Sequence, residues 1–517
     1  MFVSAVSCNV TQETPDDTKS TEKIDTTEPV TEGAPSDTGA QDTGADSETD
    51  AATEKSPETT TAEESTNEPF VPSYTGVFKA GYDRQDISPE GNIYLKDGTL
   101  FTKVIDPLYT TCIAVNDGEN TLLLFTVDVT NIPASQALTM RSKISKATGV
   151  NIDYILVSGT HTHSAPTPGF PTSTKTENVK WDIQFYNASV KAAENAIADL
   201  SDTEVYIGNT LAKDMSFVRR WFYEDGTPGG IWRQPTDKKR VAYESDSDDL
   251  CQFIRFVRED KKDILLTSWG IHFTNATNQF PKSVSADINS FLRSVTERLD
   301  DDLLFAFYIA PSGNITLGPH IDGTGRYKSY SKMADALAKQ IIGEQDNLTR
   351  VNPGKIKVEQ LYYEPFVRKD DNDTVERATL ANEEIKALNM YDGNAEVYAV
   401  CARYGFESAK EVTSVISRNK ASRGETDEII IAAASFGDIG FAGVPYEMFD
   451  TNGIELREAS PFKMTIVITG CGGSAGYVPS ALAVPNGGYE VYTTPWVFGT
   501  AEIIVDMLVD MLKAQKN

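Results

Sequence analysis

The chain has 517 residues, 40% of them hydrophobic, and a formal net charge of −29, enough apolar material for one large domain or two ordinary ones. That charge excludes a sequence-independent attraction to phosphate backbones or anionic lipid head groups, so nucleic acid is not an expected partner. The five cysteines (Cys8, Cys112, Cys251, Cys401, Cys471) lack CxxC spacing, which argues against a zinc ribbon or a disulfide framework.

Residues 1–8 end in Phe2-Val3-Ser4-Ala5-Val6-Ser7-Cys8, which is similar to the last part of a bacterial lipoprotein signal, where small residues precede a cysteine that becomes lipidated. This predicts a secreted or cell-surface, extracytoplasmic protein with membrane anchoring through Cys8. Residues 9–73 carry 17 Asp/Glu against 3 Lys/Arg and are rich in Thr, Ser and Pro, with no aromatic residue before Phe70. Such a segment cannot bury enough apolar area to offset its ordering entropy, and it reads as a disordered tether. No other run reaches the roughly 18 apolar residues of a spanning helix.

Residues 74–517 read as one folded unit. Thr121–Val127 and Tyr154–Ser158 are short apolar runs of buried-strand type, with a helical period over Ala134–Lys146 between them. Trp181, Phe185, Ala188, Ala192 and Ala196 form one apolar stripe on a longer helix. Further strands are predicted at Gln252–Val257, Ile264–Trp269, Leu303–Ile309, Glu428–Ser435 and Met464–Thr469, and helices at Ile288–Leu299, Ser331–Ile342 and Thr500–Lys513. The irregular alternation predicts an α/β fold with mixed β-sheets flanked by helices, in a single large domain.

The only four histidines, at 161, 163, 272 and 320, each fall in or just after a predicted strand end. If the strand from Tyr154 runs on through Thr160-His161-Thr162-His163-Ser164, both rings project from one face. They can then serve as two ligands, or as one ligand and one acid/base group. His272 ends another apolar run, Leu265 to Ile271. Catalytic zinc takes about three His or carboxylate ligands and leaves one position open. Asp128, Asp287, Asp438 and Glu447 are the candidate carboxylates, unranked by spacing.

Several segments together resemble the neutral/alkaline, non-lysosomal ceramidase family: Ala80-Gly81 with Asp86-Ile87-Ser88-Pro89, Asp106-Pro107-Leu108-Tyr109, Ser158 to Ser164 with Pro166, and Trp269-Gly270-Ile271-His272. Ser285-Ala286-Asp287, Gly443-Val444-Pro445-Tyr446-Glu447 and Gly476-Tyr477-Val478-Pro479 follow in the family's order. The resemblance implies Zn²⁺ held by His161, His272, Glu447 and Tyr477. It leaves His163 for proton transfer, and it puts Arg219 and Tyr489 against the substrate carbonyl. It also aligns Thr316 with the family's serine in Pro311-Ser312-Gly313-Asn314-Ile315-Thr316-Leu317, where Pro311 and Leu317 replace an asparagine and a proline. His320 lies just beyond.

The implied activity is zinc-dependent cleavage of a linear amide, N-acylsphingosine to fatty acid and sphingoid base, by the family's catalytic domain alone. Two other readings stand beside it. One is an extracellular zinc hydrolase of a non-lipid amide or ester, which exposed Trp221 and Trp232 in a polar cleft would favour. The other is a surface-anchored binding protein whose metal is structural or vestigial, with its site closed to solvent. A small-molecule or lipid ligand is expected in each, and no protein partner is implied.

Overall fold

The computed structural model describes residues 74–516, except 96–97, 171–174, 232–237, 275–279, 281, 318–328, 391–393 and 421–425. The proposed signal, the tether, Trp232 and His320 therefore lie outside the described residues. Two β-sheets form the frame. The larger runs in the order Leu303–Ile309, Asp263–Trp269, Leu250–Arg258, Ser201–Leu211, Lys79–Asp86, Tyr109–Asn116, Thr121–Val127, Ile155–Gly159, with Thr349–Val351 beside Ser201–Leu211. The smaller runs Ile356–Tyr363, Ile429–Phe436, Ile439–Gly443, Met464–Ile468. Each sheet mixes pair types: Thr121–Val127 with Ile155–Gly159, Asp263–Trp269 with Leu303–Ile309, and Ile439–Gly443 with Met464–Ile468 are parallel, whereas neighbours such as Lys79–Asp86 with Tyr109–Asn116 are antiparallel. The mixed α/β class expected from the sequence is what the chain adopts.

The apolar runs are continuous because these strands are covered on both faces. Along Thr121–Val127, Leu122 and Leu124 enter the core between the two sheets, where they join Ile254, Phe256, Phe436, Phe441 and Ile466. Leu123, Phe125 and Val127 point the other way, into the layer with Met140, Ile144, Trp181 and Phe185 from helices Ala134–Thr148 and Thr176–Ala198. Helices Ile288–Leu299 and Tyr330–Gly343 cover the rest of the large sheet, and Thr500–Lys516 covers the small one.

Between Ile356–Tyr363 and Ile429–Phe436 the chain inserts three helices, Asn372–Leu388, Ala395–Arg403 and Ala409–Lys420. They have a core of their own, including Ala381, Val397, Phe406, Val412 and Val415. Asp371 and Asn394 cap the first two by accepting from Thr374 N and Glu396 N. The insertion is tied to the short helix Tyr489–Thr493: Arg368 and Arg418 donate to the carbonyls of Val491 and Tyr492 at 2.8 and 2.9 Å.

Candidate metal centre

The loops at the carboxyl ends of the parallel strands meet at one place, the position where open α/β sheets bind ligands. Ser158 Oγ donates to Thr469 O, Gly472 N to Val157 O, Gly470 N to Tyr446 O and Thr469 N to Ile309 O. Four loops distant in sequence are thereby stitched into a single rim.

The strand beginning at Ile155 ends at Gly159 and does not continue through the histidines. His161 has φ 68°, a left-handed conformation that is uncommon for a residue with a Cβ and gathers at functional sites. The turn is held by His161 N on Val129 O and by His163 N on Phe273 O. The two rings therefore converge through a kinked turn, not through strand alternation, and this corrects the extended reading.

His161 Nδ1 lies 3.0 Å from Thr130 O, a contact that places a proton on Nδ1 and turns Nε2 toward the other ligand atoms. That Nε2 is 3.3 Å from His272 Nε2, 3.4 Å from His163 Nε2 and 3.4 Å from Glu447 Oε2. Glu447 Oε2 is buried with no hydrogen-bond donor. Burial pushes His163 down to about 3 and His272 well below the usual imidazole range, so both are neutral near pH 7. Burial alone would raise the Glu447 carboxyl, but His161, and after it His272, hold it well below the usual carboxylate range. Two neutral imidazoles, the His161 ring and an ionised carboxylate, with their ligand atoms gathered within 3.4 Å of His161 Nε2, form a set that a cation satisfies. The residues fit a metal, and the three histidines could hold one by themselves.

Tyr477 pairs with Glu447 in a two-residue bridge and hydrogen-bonds its carboxylate. Arg219, almost fully buried, sits 5.3 Å from the Tyr477 ring and hydrogen-bonds its side chain. Its Nε donates to Glu490 Oε1 at 2.7 Å and its Nη2 to Gly313 O at 2.6 Å. Glu490 also pairs with Arg220 at 2.9 Å, and Arg220 with Glu244 at 2.6 Å. The Tyr489 ring stands edge-on to Tyr477 at 5.6 Å. A Cβ on Gly313 would lie 2.6 Å from Glu447 O, so the close approach of these two segments requires glycine.

Behind that approach, Asn314 and Asp450 form a reciprocal pair. Asn314 Nδ2 donates to Asp450 Oδ1 at 2.6 Å, and Asp450 N donates to Asn314 Oδ1 at 3.0 Å. Asp248 N also donates to Asp450. Burial outweighs these bonds and pushes Asp450 up to about 6.

His161, His163, His272, Glu447, Tyr477, Arg219 and Tyr489 are thus one contiguous constellation. Thr316 is on a different footing: its two-residue strand Ile315–Thr316 pairs with Phe217–Val218, just before Arg219, along one side of the site. The other candidate carboxylates face elsewhere. Asp128 accepts from Thr160, Asn289 and Arg293, Asp287 caps helix Ile288–Leu299, and Asp438 pairs with Lys463 and Lys516. Glu490 escaped the sequence reading because no spacing distinguishes one glutamate of a short helix. Only its burial against two arginines marks it.

No family model matches the chain, and no curated protein matches it in sequence. The solved structures similar to it include a ceramidase complexed with C2 and a neutral ceramidase from Pseudomonas aeruginosa. The fold is that of the neutral ceramidases. Both comparisons give a TM-score of 0.62 over 85% of this chain and 75% of theirs, at 13% and 14% identity. The likeness establishes the architecture and agrees with the resemblance carried by the sequence motifs.

Proposed function

We propose that this protein is a zinc-dependent, ceramidase-like hydrolase of linear amides. The observation that carries the reading is the convergence of His161, His163, His272 and Glu447 on one point, beside a buried arginine paired with Glu490. In this reading His161, His272, Glu447 and Tyr477 hold Zn²⁺. The ion, when bound, supplies Lewis acidity at that point. His163 Nε2, neutral near pH 7, takes a proton from the attacking water and delivers it to the leaving nitrogen. The amide and one water thus give a carboxylic acid and an amine. Arg219 and Tyr489 hydrogen-bond the amide oxygen as negative charge gathers on it, and Thr316 lines the substrate side. Glu490 and Gly313 O fix the guanidinium so that it need not reorganise during the reaction.

Two features weigh against the other readings. Trp221 is 4% exposed and lies under Arg240, so it offers no platform to a sugar. The Glu447 side chain is 23% exposed and His163 is half-buried, so the site is not sealed as a closed structural centre would be. Export and lipidation of Cys8 belong to the same proposal; transfer of a labelled fatty acid in cells that Cys8→Ser abolishes would establish the anchor.

The test joins metal analysis to turnover of a fluorescent N-acylsphingosine. The expected result is close to one zinc per chain and fatty-acid release that chelation removes and zinc restores. Release indifferent to chelation, or no release beside an active control enzyme, overturns the reading.

A further inference from the structure

The helical insertion forms a further wall of the site, and the feature it brings there is a cation. Lys410 sits in the first turn of helix Ala409–Lys420 with its Nζ 5.4 Å from the centre of the Tyr489 ring. It is one of the charges felt at the His163 ring, along with His161, Glu447 and Arg219. A lysine in a first turn opposes the helix dipole, so helix stability does not call for it there. Glu411, in the same turn and fully buried, already serves that end by accepting from Glu407 N and Ser408 Oγ.

The neighbouring charges are otherwise engaged. Glu490 is shared between Arg219 and Arg220, and Glu244 completes Arg220. Burial, and after it the Glu407 charge, pushes the Glu411 carboxyl well above the usual range. Lys410 itself is exposed, and among the described residues it forms no ion pair.

We propose that Lys410 binds a carboxylate on the amine half of the substrate, which makes N-acyl amino acids the class this site takes. The inference rests on the amide-hydrolase reading and names its substrate. In an N-acyl amino acid the carboxylate is one carbon from the scissile nitrogen. It therefore comes within reach of a cation poised over Tyr489, the residue assigned to the carbonyl. A single lysine balances one negative charge and so suits a monoanionic carboxylate better than a phosphate dianion. Hydrolysis consumes one water, breaks the C–N bond and yields a fatty acid and a free amino acid.

The experiment compares release of laurate from N-lauroylglycine and from its neutral primary amide, N-lauroylglycinamide. The wild type is expected to favour the acid about tenfold in kcat/KM, the low end for a charge-assisted hydrogen bond. Lys410→Met should bring the ratio to within about twofold of one, Lys410→Glu should invert it, and Lys410→Arg should keep it, which also controls for folding. A wild type that prefers the neutral amide, or a ratio that Lys410→Met leaves unchanged, overturns the inference while amide hydrolysis stands. If neither amide is cleaved, the hydrolase reading fails, and calorimetry of N-lauroylglycine decides about Lys410. A tenfold weaker affinity in Lys410→Met supports it, and equal affinity overturns it.

Discussion

The two halves of the site are built on opposite principles. On the histidine side, His161 Nε2 faces two other imidazole nitrogens and a carboxylate oxygen within 3.4 Å, and Glu447 Oε2 has no donor. On the arginine side, Arg219 and Arg220 are matched by Glu490, Glu244 and the carbonyls of Gly313, Ala483 and Gly487. Burying unsatisfied acceptors costs stability, whereas a matched buried network is rigid and is damaged by losing any one member. The first half is therefore reserved for something that binds, and the second holds its shape without it.

That contrast can be broken at either end. The largest effect is expected from His272→Ala, with turnover falling by more than about 100-fold, beyond the loss typical of groups that only support a metal ligand. Bound zinc should fall with it, yet the unfolding free energy of the metal-free protein should stay within about 1 kcal/mol, as expected where function and stability oppose each other. Metal analysis and urea unfolding of the same preparation check both parts.

Glu490→Gln should do the reverse in stability. Leaving Arg219 buried without its counter-ion costs about 3–5 kcal/mol, read as a lowered urea midpoint. If instead Glu490→Gln proves mild and His272→Ala unfolds the protein, the contrast is wrong.

The pair behind Gly313 adds a pH arm. The Asp450 carboxyl is raised to about 6 in the folded protein, against about 3.9 for an ordinary aspartate. Folding therefore retains a proton that the unfolded chain releases. The stability this gives is complete below the unfolded value and is lost as pH rises through about 6, about 2–3 kcal/mol in all. Wild-type stability measured relative to Asp450→Asn should fall over that window, and a flat difference between pH 4 and 6.5 contradicts the assignment.

Gly313→Ala forces a Cβ against Glu447 O and should cost about 1–3 kcal/mol, with turnover reduced because both halves meet there. The smallest effect is expected at the exposed pair Lys339–Asp335 on helix Tyr330–Gly343. Lys339→Ala should change stability by no more than about 0.5 kcal/mol, a scale against which the buried network is judged.

Legibility in the sequence followed burial. Thr121–Val127, Leu303–Ile309 and Ile288–Leu299 are found with the bounds their apolar patterns predict, because each fills a core on its inward positions. Ser201–Leu211 was missed: Val205 and Ile207 are its only buried residues, and most of the rest of this eleven-residue strand is polar, with Leu211 exposed. Helix Asn372–Leu388 was missed for the same reason, since only Thr374, Ala378 and Ala381 are buried along it. With it went the whole insertion, including the turn that carries Lys410.

By itself the sequence determined the α/β class, the main strands and His161, His163 and His272 as scarce, chemistry-bearing residues just beyond strand ends. These are properties of local pattern and composition, which a chain carries wherever it folds. Only the tertiary structure decided which carboxylate joins the histidines. Asp128 and Asp438 have basic partners, Asp287 has a helix to cap, and Glu447 alone of the four faces His161. It also decided that His161 turns at positive φ to bring its ring to His163 and His272, and that Glu490 compensates Arg219 from 271 residues away. Those outcomes depend on which strand ends lie side by side, and sheet order is not written in any one segment.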